Sequence, residues 1–590
     1  MMLRRLRIEH FRGIKSAEWT INRRLIGLVG AGDSTKTTLL DAIGLVLNPN
    51  YSPQFTDADF FGLDLTKNVV IEAAISDLPD NLVKESQLGK DRSGIMPDGT
   101  LVHDPVDGAE ECLVVRLTVT PELEPTWEVV RPESDDARPI TAGQRRQLGF
   151  FRLGDLPDFH LRWARGSALS NLIDGGNGAA SVILGAHREA RAAVFNTQPN
   201  ALHAAAATAQ RAAGNFGAAK FGKLRPGLEP SSATSAHALV LHDGEVPLSS
   251  LGLGTRRLTS LSIQDQATED GSIIAIDEVE HGLEPHRLAQ ALHHLKKRTS
   301  ADGLQVIMTT HSPITVKSLS AGDFVVVHAD GAGATTCYPV PDDLDTVQGT
   351  FRSAPEALLG RRVLVGEGAT EVGFLRGLLR HWDSERIAAD QAPSAAIGTV
   401  VVNGGGGTQS TQRAQIFRNL GYPTCMLIDN DDRSIDHSVK DAEAVGVEVC
   451  RWTSGSALED EVVRALPAEG LQAVVDLAVE IRGAQSILAT VGAKLGHSPL
   501  TGIVVDRWQA QTGIDAQKIR TAIAGAAKTK HNEWFKREDR GEELATVVIA
   551  HWAGLEETHL MKVIGQLRAF AYPTAPDPME SEPGEPAADD

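Results

Sequence analysis

Val363-Leu-Val-Gly-Glu367-Gly-Ala-Thr-Glu371 and Cys425-Met-Leu-Ile-Asp429-Asn-Asp431-Asp432 share one design, a short apolar run that stops at carboxylates. Runs of this length and composition read as buried strands. Glu367 closes the first, and Asp429 with Asp431 closes the second. In an open α/β sheet, site residues collect at the carboxyl ends of the strands. A helix from Glu371 to Trp382 and a glycine run, Asn403-Gly-Gly-Gly-Gly407, lie between the two. Carboxylates gathered in this way form a hard-oxygen ligand set for a divalent cation. A lone Asp-x-Asp is more often a solvated turn or a helix cap. The order of Glu367, glycine run, Asp429 and Asp431, each at a strand end, turns the reading toward a metal.

That order resembles the TOPRIM fold of topoisomerases, primases and OLD-family nucleases, which carries a Glu after a first strand and Asp-x-Asp after a later one. The resemblance implies that Glu367, Glu371, Asp429 and Asp431 hold Mg²⁺ or Mn²⁺, two ions in all. Beyond them a strand at Val447 to Trp452 leads into Ala457-Leu-Glu459-Asp460-Glu461, a helix start where Glu459 is a further candidate ligand. Asp460 and Glu461 equally suit a first turn, where the helix dipole favours acids. Leu471 to Leu495 reads as helix. The segment Lys528-Thr-Lys530-His-Asn-Glu-Trp534-Phe535-Lys536-Arg537 is basic and aromatic. It is similar to the C-terminal region of OLD nucleases, where a lysine assists cleavage, which points to Lys530 or Lys536. A solvated helix end has the same composition.

In the N-terminal half, Leu3 to Ile14 alternates apolar and polar residues as a half-exposed strand does, and Leu25-Ile-Gly-Leu-Val29 is a fully apolar strand. The turn after it, Gly30-Ala-Gly32-Asp33-Ser34-Thr35-Lys36-Thr37-Thr38, looks like a phosphate-binding loop, in which backbone N–H groups cradle phosphates. By register Lys36 reaches the terminal phosphates of ATP and Thr37 ligates Mg²⁺. Thr35 stands where the pattern has its second Gly, which costs backbone freedom and predicts weak binding or slow turnover. Ser272-Ile-Ile-Ala-Ile-Asp277-Glu278 follows the Walker B pattern, with Asp277 on Mg²⁺ through water and Glu278 polarising the attacking water. Leu304 to Thr310 is another strand, ending at His311, a candidate γ-phosphate switch or a capped core histidine. Gly252 and Gly254 resemble a diverged ABC signature turn, and a plain loop has the same residues. Phe11-Arg12-Gly13 and the loop spacing resemble the SMC and RecF branch of ABC ATPases.

At 590 residues the chain exceeds a single core. Its four cysteines show no zinc or disulfide spacing, so a reducing compartment is expected. No apolar run approaches the roughly 20 residues of a membrane span, and a signal peptide's order of residues is missing at the N-terminus. A cytoplasmic protein without a membrane partner is expected. The net charge of −20 argues against a protein that coats nucleic acid non-specifically, but not against one that holds a phosphodiester through metal ions. Six of the acids lie in Pro573 to Asp590, a Pro-rich tail without Lys or Arg that is expected to be disordered.

Taken whole, the chain resembles OLD-family endonucleases, with a layout similar to the Gabija nuclease subunit. The expected fold class is α/β, an ABC-type P-loop ATPase domain with a helical dimerisation insert, then a TOPRIM domain with added helices. The boundaries expected are 1–154 and 236–350 for the ATPase domain, 155–235 for the insert, with its Ala-rich stretch Ala186 to Ala213, 351–572 for the TOPRIM domain and 573–590 for the tail. The implied function is ATP-regulated, metal-dependent DNA cleavage in anti-phage defence or DNA processing. The implied partners are DNA, a second copy of the chain and a helicase-like protein. A topoisomerase is a rival reading that needs a tyrosine nucleophile. Tyr51, Tyr338, Tyr422 and Tyr572 are the only tyrosines, none of them in a DNA-cleavage domain. A nucleotide-gated scaffold with a vestigial metal site is the other rival.

Overall fold

A computed structural model describes residues 1–47, 53–84, 86–134, 137–154, 157–161, 189, 241–243, 246–266, 268, 270–341, 345–497 and 500–573. Apart from residue 189, the Ala-rich stretch and the rest of the expected insert after residue 161 lie outside them, as do the tail from 574 and Tyr51. The chain divides into two compact units, one of Met1–Leu28, Thr35–Thr315 and Gly331–Thr335, the other of Val29–Ser34, Val316–Asp330 and Thr336–Asp590.

In the first unit, β1 (Met2–Phe11), β2 (Ile14–Thr20), β3 (Leu25–Val29) and α1 (Lys36–Val46) open the chain. They are followed by β4 (Val69–Ser76), β5 (Glu110–Val119), β6 (Pro125–Val130) and β7 (Phe150–Leu153). Then come α2 (Leu253–Gln266), β8 (Ile273–Ile276), α3 (Pro285–Ala301) and β9 (Gln305–Thr309). β2, β1, β4, β5 and β6 pair antiparallel in that order. β1 alternates buried and part-exposed residues, as a strand with one covered face must. β7, β8, β9 and β3 form a parallel set in which β8 and β9 are wholly buried. Parallel strands covered on both faces read as continuous apolar runs, which is why Ile273–Ile276 carries no polar residue.

The second unit contains β10 (Phe324–Ala329), β11 (Arg362–Gly366), α4 (Ala369–Ala388), β12 (Thr399–Asn403), α5 (Gly407–Asn419), β13 (Thr424–Ile428) and β14 (Glu448–Arg451). Beyond them lie α6 (Leu458–Ala465), α7 (Ala468–Arg482), α8 (Ala484–Leu495), α9 (Ala516–Ala527), α10 (Glu538–Ala550) and α11 (His559–Ala571). The four strands β12, β11, β13 and β14 pair in that order, all parallel. The second strand in sequence thus sits on one side of the first and the third on the other. This reversal creates a crevice outside the carboxyl ends of β11 and β13, where such sheets bind their ligands. The expected single helix from Leu471 to Leu495 is two helices, because Gly483 takes φ 82° and turns the chain between α7 and α8.

α4 follows β11 directly and is held against α10 by glycines. A Cβ on Gly373 would lie 2.0 Å from the Glu538 carbonyl oxygen, and one on Gly541 would lie 2.3 Å from that of Thr370. The backbones meet there, so the contact fixes the first turn of α4. Gly541→Ala is expected to cost about 1–3 kcal/mol by overpacking, read as a lower denaturant midpoint at unchanged slope. Gly565→Ala, on α11 with open space around it, is expected to raise the midpoint slightly. Equal midpoints for Gly541→Ala and the parent would show that the helices do not meet so closely.

Candidate functional sites

The nucleotide-loop residues fall on both sides of the division between the units. Within the second unit, Gly30 has φ 142°, and a Cβ there would lie 2.4 Å from the Val327 carbonyl oxygen of β10, so only glycine fits. Gly32 and Asp33 are exposed and Ser34 is buried. Asp33 at φ 59° and Thr35 at φ 64° both lie in the left-handed region. For a β-branched residue this is a strained backbone, costing about 1–3 kcal/mol. The conformation that the missing glycine would supply freely is therefore present, at a cost.

Within the first unit, α1 starts at Lys36, which is buried, with Thr37 exposed and Thr38 partly covered. Thr37 Oγ1 donates to Asp277 Oδ1 at 3.2 Å, and Thr309 Oγ1 donates to the same oxygen at 2.6 Å. Strand ends β8 and β9 thus present Asp277 to the start of α1. Glu278 has φ 44°, and its N–H donates to Thr309 Oγ1 at 2.8 Å. Arg257 of α2 donates to the carbonyl oxygens of Asp277 and Glu278, both at 2.9 Å. The side chain of Glu278 is left 3.4 Å from His281. Glu280 anchors the end of β9, accepting from the His311 N–H at 2.6 Å and from Thr310 Oγ1 at 2.7 Å. Burial and then Lys36 hold the exposed His311 imidazole below its usual pKa, against the pull of Glu280, Glu278 and Asp277. A Cβ on Gly254 would lie 2.6 Å from the Gly282 carbonyl oxygen, so this glycine lets α2 approach the loop after β8, whereas Gly252 has open space.

At the crevice of the second unit, Glu367 follows β11 and Asp429 follows β13. Glu367 Oε1 accepts from the Gly407 N–H at 3.1 Å, and its Oε2 from the Asp429 N–H at 2.9 Å. The glycine run therefore serves to bring an amide onto this carboxylate. Gly405 and Gly406 take φ near 89° and 85°, which a side chain would resist. Asp429 Oδ1 accepts from the Leu458 N–H at 3.0 Å, at the N-terminus of α6. Glu371, buried in the first turn of α4, accepts from the Gly368 N–H at 2.8 Å. Glu459 enters from the first turn of α6.

Burial first, and then neighbouring charge, raise the pKa of three of these acids. Burial, then Glu459 and Glu367, raise the Glu371 carboxyl to about 7. Burial and then Glu371, Glu459, Glu367 and Asp431 raise Asp429 well above the carboxylate range. Glu459 is raised by burial, with Asp460 and Asp431 adding to it and Lys528 opposing it. As they stand, no three His, Cys, Asp or Glu side chains among the described residues converge closely enough to hold one ion.

The residue that sequence reading passed over is Lys528, which caps α9. Its Nζ lies 2.5 Å from Asp460 Oδ2 and 3.5 Å from Asp431 Oδ2. Its burial works against its charge, but the Asp460 hydrogen bond and the charges of Asp460, Asp431 and Glu459 leave its pKa raised. Lys530 is exposed, and Lys536, also exposed, pairs with Glu533 at 3.6 Å. Among the described residues neither makes an ion pair with the acids. Trp534 and Phe535 are buried in the core with Leu544 and Trp508, so they offer no stacking surface. The signal that singles out Lys528 is its place one residue past a small-residue helix packed on α6.

With this geometry in place, comparison with known proteins bears on the part of the chain that holds the first site. Residues 25–317 match the family model described as "AAA domain, putative AbiEii toxin, Type IV TA system". The chain carries an ATPase domain. The matched span holds the phosphate loop, Asp277, Glu278 and His311. Among solved structures, an Smc head bound to the C-winged helix domain of ScpA aligns with 58% of this chain and 98% of that one, at 13% identity and TM-score 0.34. The SMC head domain from Thermotoga maritima aligns with 58% and 100%, at 14% identity and TM-score 0.29. An Smc head with an extended coiled coil bound to the C-terminal domain of ScpA, from Pyrococcus furiosus, aligns with 57% and 96%, at 13% identity and TM-score 0.34. No curated protein gives a significant match. Among the described residues no helix is long and apolar enough to cross a membrane.

The raised Glu371 pKa has a testable sign. Its contribution to stability is fully present below the ordinary glutamate range and is lost as pH rises through about 7. Glu371→Gln is therefore expected to raise the melting temperature of EDTA-treated protein at pH 8 relative to the parent, and to do so much less at pH 5. An equal effect at both pH values would show that Glu371 is not held protonated by its neighbours.

Proposed function

We propose that the chain is an ATP-regulated, divalent-metal-dependent DNA endonuclease whose cleavage site is the acidic crevice of the second unit. The observation that carries this reading is the gathering of Glu367, Glu371, Asp429, Asp431 and Glu459 at the mouth of β11 and β13, with Lys528 beside them. Oxygen donors of this kind suit Mg²⁺ or Mn²⁺. The TOPRIM and OLD-family resemblance of the same residues supports the reading. When bound, such ions supply an activated water and charge stabilisation for the leaving oxygen.

The chain's own groups do the rest. Glu367, tied at both oxygens by amides, keeps a fixed orientation. The α6 terminus steadies Asp429. Lys528 brings a positive charge to the place where charge grows on the phosphate, in the role that the resemblance assigns to a lysine of this segment. In the ATPase domain, Lys36, Thr37 and Asp277 bind Mg·ATP, and Glu278 orients water for hydrolysis. Regulation of cleavage follows from nucleotide binding by this domain.

A scaffold that binds ATP without cutting DNA is the second reading, favoured by the lack, among the described residues, of three such side chains converging on one point. Cleavage of supercoiled plasmid with Mg²⁺ and Mn²⁺, with and without ATP, separates the two. Asp429→Ala is expected to lower the rate by orders of magnitude while nucleotide binding persists. Lys528→Ala is expected to lower it steeply, and Lys530→Ala and Lys536→Ala only weakly and in a salt-dependent way. Lys36→Ala is expected to lose nucleotide binding. Cutting undiminished by Asp429→Ala in nuclease-free preparations would rule out the crevice as the cleavage site.

A further inference from the structure

Inside the first unit a chain of alternating charges ends on the Walker B aspartate. Arg152 of β7 donates through Nη1 to Asp41 Oδ1 of α1, and its Nη2 lies 3.6 Å from Asp277 Oδ2. The other oxygen of Asp41 accepts from Arg12 Nη1, and Arg12 Nε donates to Asp59 Oδ1 at 2.8 Å. Arg12 itself has φ 48°, so the turn after β1 is bent to deliver it. Asp277 Oδ1 is taken by Thr309 and Thr37, which leaves Oδ2 to Arg152. The side chains of Asp41 and Asp277 are 18% and 21% exposed, so water screens these charges only in part.

Nothing in the phosphate-loop reading calls for Arg152. Its Cα pairs with that of Ala275, two residues before Asp277, so its place beside the aspartate is fixed by strand register. Among the described residues β7 stands at the end of the sheet and pairs with β8. A Mg²⁺ ion carried by the nucleotide and held near Asp277 and Thr37 would meet the Arg152 guanidinium on the same carboxylate. Two cations on one carboxylate compete.

We propose that Arg152 is a positioning residue that competes with Mg²⁺ for Asp277. It bridges Asp41 and Asp277, and Mg·nucleotide binding requires it to give up Asp277 while keeping Asp41. Arg12 and Asp59 hold Asp41 in place to receive it. The consequence is a nucleotide site whose magnesium dependence is set by an arginine on β7. This inference rests on the assignment of Lys36, Thr37 and Asp277 to the nucleotide.

The test is calorimetric binding of a non-hydrolysable ATP analogue to the full chain, with excess Mg²⁺ and with EDTA, read as the ratio of the two affinities. Arg152→Gln is expected to raise the ratio about fivefold, the scale of a partly exposed ion pair. Arg152→Lys is expected to keep it near the parent value. Asp41→Asn, which removes the carboxylate charge that competes with Asp277 for Arg152, is expected to lower the ratio, and it decides the question should Arg152→Gln fail to fold. A parent that binds no nucleotide overturns the site assignment and this proposal with it. A parent that binds, with the same ratio in Arg152→Gln and Asp41→Asn, overturns this proposal alone.

Discussion

Carboxylates set side by side repel one another, and at the ends of β11 and β13 the second unit gathers five, one of them, Glu371, buried. The surrounding fold works against that repulsion. Amides of Gly407 and Asp429 take both oxygens of Glu367, the α6 N-terminus faces Asp429, and Gly368 caps Glu371. Each of these is a neutral donor, which eases a negative charge without cancelling it. Lys528 supplies one full positive charge, shared between Asp460 and Asp431. The balance remains negative, and with burial it raises the pKa of Glu371, Asp429 and Glu459. A carboxyl such as Glu371, raised to about 7, is one from which a divalent cation would displace the proton.

The same arrangement recurs in the first unit on a smaller scale. Parallel strands again end in acids, Asp277 and Glu278 after β8, and again a cation of the chain, Arg152, stands against one of them. There the backbone carries part of the cost, since Glu278 and Thr35 both sit at positive φ. Strain of this kind persists only where the surroundings over-determine it. Here Arg257 grips the carbonyls of Asp277 and Glu278, and Thr309 takes the amide of Glu278. Gly254 lets α2, which carries Arg257, approach the loop that follows β8.

What the sequence disclosed follows from how local each feature is. Glu367, Asp429 and Asp277 were legible because a buried parallel strand writes itself as an apolar run and the acid marks its end. The break at Gly483 was a single-residue signal inside an otherwise helical pattern, easily overridden. Lys528 was not legible because its partners lie in α6 and after β13, far away in sequence, and only the packing of α9 brings it there. The basic, aromatic composition around Trp534 misled for the same reason. Burial turns those rings into core and leaves Lys530 and Lys536 facing solvent. Arg152 carried no motif, and its place depends on the register of β7 with β8.

The most direct measurement is a calorimetric titration of Mn²⁺ into EDTA-stripped and dialysed protein near pH 7, repeated in two buffers of different ionisation enthalpy so that released protons are counted. The account predicts saturable binding in which ions displace protons from the crevice as Glu371, raised to about 7, ionises. It predicts loss of that proton release in Asp429→Ala with the ATPase domain intact. Binding without proton release, or identical titrations for the parent and Asp429→Ala, would contradict it.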